Sequence, residues 1–232
     1  MDTIAKLLLA PLLIAQALRV RQKALILPEA AGPRDGIIGA GPDLGLLVVG
    51  DSAAAGVGAE TQAQALAGQL AAQLSDHHTV RWHLIAQTGA TTASTLKRLS
   101  QHNGQQFDVV VLSLGVNDVT HGVFLRKWLR QQSELYDLLA RQFSAQKIII
   151  SGLPPMRHFP LLPQPLRWVI GRQAERFDTR LAAMITARPN CEYVPLDLPF
   201  DPQMMAKDGF HPAPPAYARW ATLLADRILV VF

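Results

Sequence analysis

An open α/β sheet of five mostly parallel strands, covered by helices on both faces, is the fold this sequence predicts. Three observations lead there. Short apolar runs recur along the chain, and most stop at a glycine or a polar turn. Helical stretches with one apolar face alternate with those runs, which is the pattern of βαβ units. No shift in composition divides the chain beyond about residue 36, so one domain is expected over 36–232.

The elements follow in order. Leu46-Leu47-Val48-Val49 is apolar without alternation, as a strand buried on both faces must be, and it ends at Gly50-Asp51. A helix is expected from about Glu60 to Leu74, with Leu66, Leu70 and Leu74 on one side. Val80–Ala86 reads as the second strand, closed by Gly89, and Thr91–Leu99 as the helix after it. Val109–Leu112 is the third strand, stopped at Gly115, and Leu125–Phe143 the next helix. Ile148–Ile150 makes the fourth strand. The stretch Leu153–Ile170 is apolar and proline-rich, neither a regular helix nor a solvated linker. A helix over Gln173–Ala187 and an edge strand at Tyr193–Leu196, where Pro195 is tolerated, come next. A last helix covers Pro214–Leu229.

Composition narrows the function classes. The chain has 232 residues, 49% of them hydrophobic and only 17% charged, so it can bury a core without staples. Its one cysteine, Cys191, excludes an intramolecular disulfide framework and a cysteine-based metal site, and reads as a packing residue. The net charge of +4 favours anionic partners. The basic residues are scattered and no nucleic-acid-binding motif accompanies them, so no nucleic-acid partner is expected. His77-His78 is adjacent rather than at helical ligand spacing, and no P-loop, complete dinucleotide fingerprint or H-E-x-x-H site is present.

Residues 1–35 form a separate segment. The run Leu7–Leu18 is shorter than the roughly 20 apolar residues a membrane span needs, and Arg19, Arg21 and Lys23 follow it. Ala15-Gln16-Ala17 resembles a signal-peptidase site, while the basic cluster beyond it favours retention on the cytoplasmic side. An interfacial helix making peripheral membrane contact, a helix packed on the domain, a signal and a span all stay open.

In open α/β sheets, ligands bind outside the carboxyl ends of the strands. Four clusters fall at such ends: Gly50-Asp51-Ser52, Thr88-Gly89-Ala90, Gly115-Val116-Asn117-Asp118, and Asp208-Gly209-Phe210-His211-Pro212 before the final helix. Acyl transfer needs a nucleophile, a base, a group orienting the base, and donors for the oxyanion. Ser52, between the first strand and the first helix, is the candidate nucleophile. His211 is the candidate base, with Asp208 three residues before it to accept its ring proton. The Ser52 and Gly89 N–H groups and the Asn117 amide are candidate oxyanion donors. Each has a plain structural alternative: Ser52, Asn117 and Asp118 as caps, Gly89 as a turn, His211 as a loop residue.

The ordered blocks V-V-G-D-S-A-A-A-G, Gly89, L-G-V-N-D and D-G-F-H-P resemble those of the SGNH (GDSL) hydrolases, from about Leu46 to the last helix. The resemblance implies a three-layer α/β/α flavodoxin-like fold and no cofactor or metal. It also implies Ser52 as nucleophile, His211 as base with Asp208 as its partner, and Gly89 with Asn117 in the oxyanion hole. Asp51 would shape the nucleophile loop. Met156, Phe159, Leu162 and Trp168 either line an acyl pocket, which favours a lipid-like ester or lysophospholipid, or simply pack on the sheet. A carbohydrate O-deacetylase and a catalytically silent lipid-binding protein are the alternatives.

Overall fold

The computed structural model describes residues 2–102, 104–198 and 201–232, with side chains from Leu9 onward. Among these residues six strands form one sheet in the order β1-β3-β2-β4-β5-β6. They are β1 (Asp35–Ile38), β2 (Asp43–Gly50), β3 (Thr79–Ala86), β4 (Val109–Ser113), β5 (Lys147–Ser151) and β6 (Cys191–Val194). The five strands from β2 onward run parallel, with Val48 level with Leu84 on one side and Val111 on the other. Their order is the flavodoxin-like one, whose switch point falls between β2 and β4.

The expected five strands gain a sixth. β1 pairs antiparallel to β3 at the sheet edge. Its sequence, Asp-Gly-Ile-Ile, is short and largely exposed, so it lacks the buried apolar run that marks the others.

Alternate residues of the central strands feed two cores, as a period of two requires. Leu47, Val49, Val110, Leu112, Ile148 and Ile150 face α3 (Thr92–Leu99), α5 (Leu125–Gln142) and α6 (Leu166–Ile185). Leu46, Val48, Val109, Val111 and Ile149 face α2 (Leu66–Leu74) and α7 (Pro214–Ile228). Each of these side chains, fully buried, contributes roughly 1.5–3 kcal/mol, which explains why the strands carry no polar alternation.

Three boundaries move from expectation. Helix α2 starts at Leu66 rather than near Glu60, because Gln62 is drawn inward to donate to the carbonyls of Ala30 and Ala55, both at 3.1 Å. The helix expected from Gln173 begins at Leu166, directly after the last proline of the preceding stretch. Gly171 sits inside it because the Arg157 backbone packs 2.8 Å from where a Cβ would lie. Strand β6 spans Cys191–Val194, two residues ahead of the expected register, and leaves Pro195 outside the ladder.

The amino-terminal segment is a helix, α1 (Asp2–Lys23), lying on the domain. Leu13 and Val20 pack against the core, and the Gln16 side chain is bonded to Gln164 O at 2.6 Å and Leu166 N–H at 3.1 Å. Among the described residues no helix is long and apolar enough to cross a membrane.

Candidate active site

Ser52 stands two residues beyond the end of β2, at the switch point. Asp51 continues the ladder by donating its N–H to Ser113 O at 3.2 Å, and its carboxylate accepts the Ala53 N–H at 3.0 Å. The chain then folds into tight turns over 51–58, with the Ala55 N–H bonded to Asp51 O and the Val57 N–H to Ser52 O. No helix begins at Ser52: the first helix after β2 that carries an apolar face, α2, starts only at Leu66. The Ser52 N–H makes no hydrogen bond to a described residue. The Tyr217 hydroxyl, buried in α7, donates to Val57 O at 2.7 Å and holds the turn from below.

The fourth cluster approaches this turn closely. Residues 204–213 fold back on themselves, with Ala206 N–H donating to His211 O and Ala213 N–H to Met204 O. Gly58, at φ +101°, lies where any Cβ would fall 2.2 Å from Pro212 O, so only glycine allows the two segments to meet. Asp208 is nearly buried. Its Oδ1 accepts the N–H groups of Phe210 and His211 at 2.9 and 3.0 Å, and its Oδ2 lies 2.5 Å from His211 Nδ1. The other ring nitrogen of His211, Nε2, lies 2.8 Å from Ser52 Oγ. Burial opposes the charged form of Asp208, but the bonds from the His211 ring and the two N–H groups outweigh it and keep its carboxyl below the usual range.

Asn117 lies in the short helix α4 (Val116–Thr120), after β4. Its Nδ2 donates to Ala90 O at 3.0 Å and reaches Asp51 Oδ2 at 3.3 Å, so the amide bridges the Ser52 turn and the Gly89 loop. Gly89 has φ +78°, the left-handed region, and open space where a Cβ would project. Its N–H makes no bond to a described residue. Among the described residues the Ser52 and Gly89 N–H groups are thus unpaired, and the Asn117 amide, held by two acceptors, links the loops that carry them.

Buried carboxylates organise this edge. Asp51 is enclosed, and burial raises its carboxyl to about 7, against the help of the Ala53 N–H. Asp118 is fully buried and likewise raised by burial. It accepts the Thr92 N–H at 3.1 Å and the Thr92 hydroxyl at 3.0 Å, which in turn accepts Trp128 Nε1 and Gln132 Nε2 at 3.1 and 3.0 Å. This network binds α4 to the start of α3 and α5, and so sets Asn117 against the Gly89 loop.

Sequence reasoning missed Glu29 and Arg34. The Glu29 carboxylate accepts the Thr88 N–H at 2.7 Å and the Thr88 hydroxyl at 2.8 Å, and pairs with Arg34. Arg34 also donates to Ala86 O at 2.7 Å. Neither residue stands in a recognisable motif, and nothing local in the sequence signals a contact spanning 59 positions.

An apolar cavity of about 80 Å³ opens beside Ser52 and His211. Leu153, Pro155, Phe159, Leu198, Met205 and Trp220 are among its walls. Of the four pocket residues expected from sequence, only Phe159 lines it. Met156 and Leu162 are buried in the core between the sheet and α6, and Trp168 is part-exposed with the Arg172 guanidinium 5.6 Å from its ring centre. The apolar stretch carries no periodicity to tell wall from core. Trp220 forms part of the wall with its ring fixed by a bond from Nε1 to Ser151 Oγ at 2.9 Å.

The chain resembles several solved structures. The crystal structure of TesA is 25% identical with a TM-score of 0.65, covering 81% of this chain and 99% of TesA. The extracellular lipase from Streptomyces rimosus is 16% identical (TM-score 0.61), covering 79% of this chain and 99% of the lipase. Axe2, an acetylxylan esterase from Geobacillus stearothermophilus, is 18% identical (TM-score 0.56), covering 82% of this chain and 94% of its own. No curated protein sequence matches the chain. The profile of the GDSL-like lipase/acylhydrolase family matches residues 48–219, which run from β2 into α7, and the chain belongs to that family.

Proposed function

We propose that this protein is a serine ester hydrolase that works through an acyl-enzyme on Ser52 and takes lipid-like esters. One observation carries the reading: the unbroken line from Ser52 Oγ to His211 Nε2 at 2.8 Å and from His211 Nδ1 to Asp208 Oδ2 at 2.5 Å. A serine hydroxyl is a weak nucleophile and needs a base within hydrogen-bond reach. Here His211 Nε2 takes the Ser52 proton as Oγ attacks the ester carbonyl. The ionised Asp208 holds the Nδ1–H tautomer and favours the imidazolium that forms.

The negative oxygen of the tetrahedral intermediate is met by the Ser52 and Gly89 N–H groups, which have no partner among the described residues, and by Asn117 Nδ2. Asn117 would give up the longer of its two bonds, the one to Asp51, for that oxygen. His211 Nε2 then passes its proton to the leaving alcohol. A water molecule, deprotonated by the same nitrogen, hydrolyses the acyl-enzyme and restores Ser52.

The cavity supports the choice of acyl group. Its walls are almost wholly apolar, and 80 Å³ holds about six water-sized groups, comparable with a short to medium acyl chain. A fluorophosphonate probe and a series of p-nitrophenyl esters test both parts. Wild-type protein is expected to take up one probe, with Ser52→Ala and His211→Ala unlabelled, and kcat/KM is expected to rise from acetyl to about hexanoyl. A folded wild type that does not label overturns the serine mechanism. An acetyl-only profile overturns the lipid-like substrate and favours deacetylation.

A further inference from the structure

We infer that the outer face of α1, with the neighbouring surfaces of α5 and α6, docks the protein on an anionic lipid surface at the end of the molecule where Ser52 opens. The inference concerns docking and does not depend on the chemistry at Ser52.

The first observation is where α1 lies. Gln16 is tied to Gln164 and Leu166, where the loop that follows β5 meets the start of α6, and Glu29 is tied to Thr88, in the loop that follows β3. Both anchors are on loops at the carboxyl end of the sheet, one on either side of the β2–β4 switch point. The segment from α1 to Glu29 therefore crosses the same end of the sheet as the catalytic loops.

The second is what it presents. Leu13, Gln16 and Val20, at helical spacing, turn inward, so the opposite side carries Ile14 and Leu18 while Leu12 lies on the flank beside Gln16, and all three are exposed. Ile26, 90% exposed, follows on the way to Glu29, and Phe124, 81% exposed, stands at the start of α5 on the same end of the sheet. Large apolar side chains placed together in water, on one end of a molecule, mark an interaction surface.

The third is charge, which selects the occupant. Helices α1, α5 and α6 carry twelve basic and five acidic residues, whereas the whole chain has 22 and 18. The rest of the chain is thus net negative, and the excess positive charge is confined to these three helices. Arg19, Arg21 and Lys23 follow the exposed leucines directly and make no ion pair with a described residue. Arg126, Arg176 and Arg180 surround a shallow cleft between α5 and α6, whose other walls include Phe124 and Phe177. Apolar side chains flanked by unpaired cations match the boundary of an anionic bilayer, where the cations meet headgroups and the leucines enter the acyl edge.

The test is flotation of the full chain with vesicles of phosphatidylcholine alone or mixed with phosphatidylglycerol, at low and high salt. Binding to the anionic vesicles is expected to exceed binding to the neutral ones by at least about tenfold and to weaken with salt. Leu12→Ser with Leu18→Ser, and separately Arg19→Gln, Arg21→Gln and Lys23→Gln together, are each expected to lose about tenfold of that binding. Hydrolysis of a water-soluble short ester should be unchanged in both, since none of these residues touches the site. Ser52→Ala is expected to float like wild type, which separates this inference from the catalytic one. Equal binding to both vesicle types, or variants that bind like wild type, overturns the proposal. So does a wild-type dimer that Leu12→Ser with Leu18→Ser converts to monomer with no vesicle binding, because a second copy would then cover the face.

Discussion

Glu29 holds Thr88 by two hydrogen bonds, 2.7 Å to its N–H and 2.8 Å to its hydroxyl, one residue before Gly89, whose N–H is the proposed oxyanion donor. The two hydrogen bonds from Thr88 and the Arg34 pair keep this carboxyl below the usual range in spite of partial burial. The Gly89 loop is thereby clamped by a segment that precedes the matched family region. A donor displaced by about 1 Å loses on the order of 100-fold in rate. Glu29→Ala is therefore expected to lower kcat between about tenfold and 100-fold with KM within about twofold. Glu29→Gln, whose amide oxygen can still accept both Thr88 bonds but which loses the Arg34 pair, should recover much of the loss. If both variants kept wild-type kcat, the clamp would have no role in catalysis.

Asn117→Ala removes one of the proposed oxyanion donors and releases Asp51 from its amide partner. The expected loss in kcat is about 100–1,000-fold, with the melting temperature within a few degrees of wild type. Steady-state kinetics beside thermal unfolding separate the two effects. Full activity on the best ester would remove Asn117 from the oxyanion hole.

Asp51 gives the stability of the protein a defined pH dependence. Its carboxyl is raised by burial from 3.8 to about 7, so between those values the folded chain keeps a proton that the unfolded chain has released. Stability from this group consequently falls as pH rises from about 4 to 7, by up to roughly 4 kcal/mol, and levels off above. Asp51→Asn deletes the titration. Urea unfolding across that range should show the difference between variant and wild type growing in the variant's favour as pH rises. A constant difference would mean that Asp51 is ionised throughout.

Ala216 lines the cavity from α7, next to its wall residue Trp220. Ala216→Leu would fill space left for the acyl chain. Activity on hexanoyl esters is expected to fall at least about tenfold while acetyl esters stay within about threefold, since a methylene in an apolar pocket is worth roughly 1–3 kcal/mol. Equal losses across the chain-length series would place the acyl group elsewhere.

How far the sequence is legible differs from residue to residue. The apolar runs of β2, β4 and β5 can be read because strands buried on both faces tolerate no polar position. The Asp208–His211 pairing can be read because three residues of chain close it locally, with the carboxylate also catching two N–H groups of its own turn. Strand β1 is obscure because an exposed edge imposes no such demand on Asp-Gly-Ile-Ile. The walls of the cavity are obscure because Leu153–Pro165 has no regular period. Phe159 faces the site while Met156 and Leu162, three residues to either side, face the core.

By itself, then, the sequence determined the strand–helix alternation, the polar cluster Gly50-Asp51-Ser52 at a strand end, and a histidine with its own carboxylate, all through short-range periodicity and spacing. Tertiary structure alone decided the rest. It brought His211 within 2.8 Å of Ser52 across 159 positions, seated α1 on the carboxyl end of the sheet, and set Glu29 against Thr88. Such contacts depend on how the sheet twists and which faces are left to cover, and no local pattern of residues encodes them.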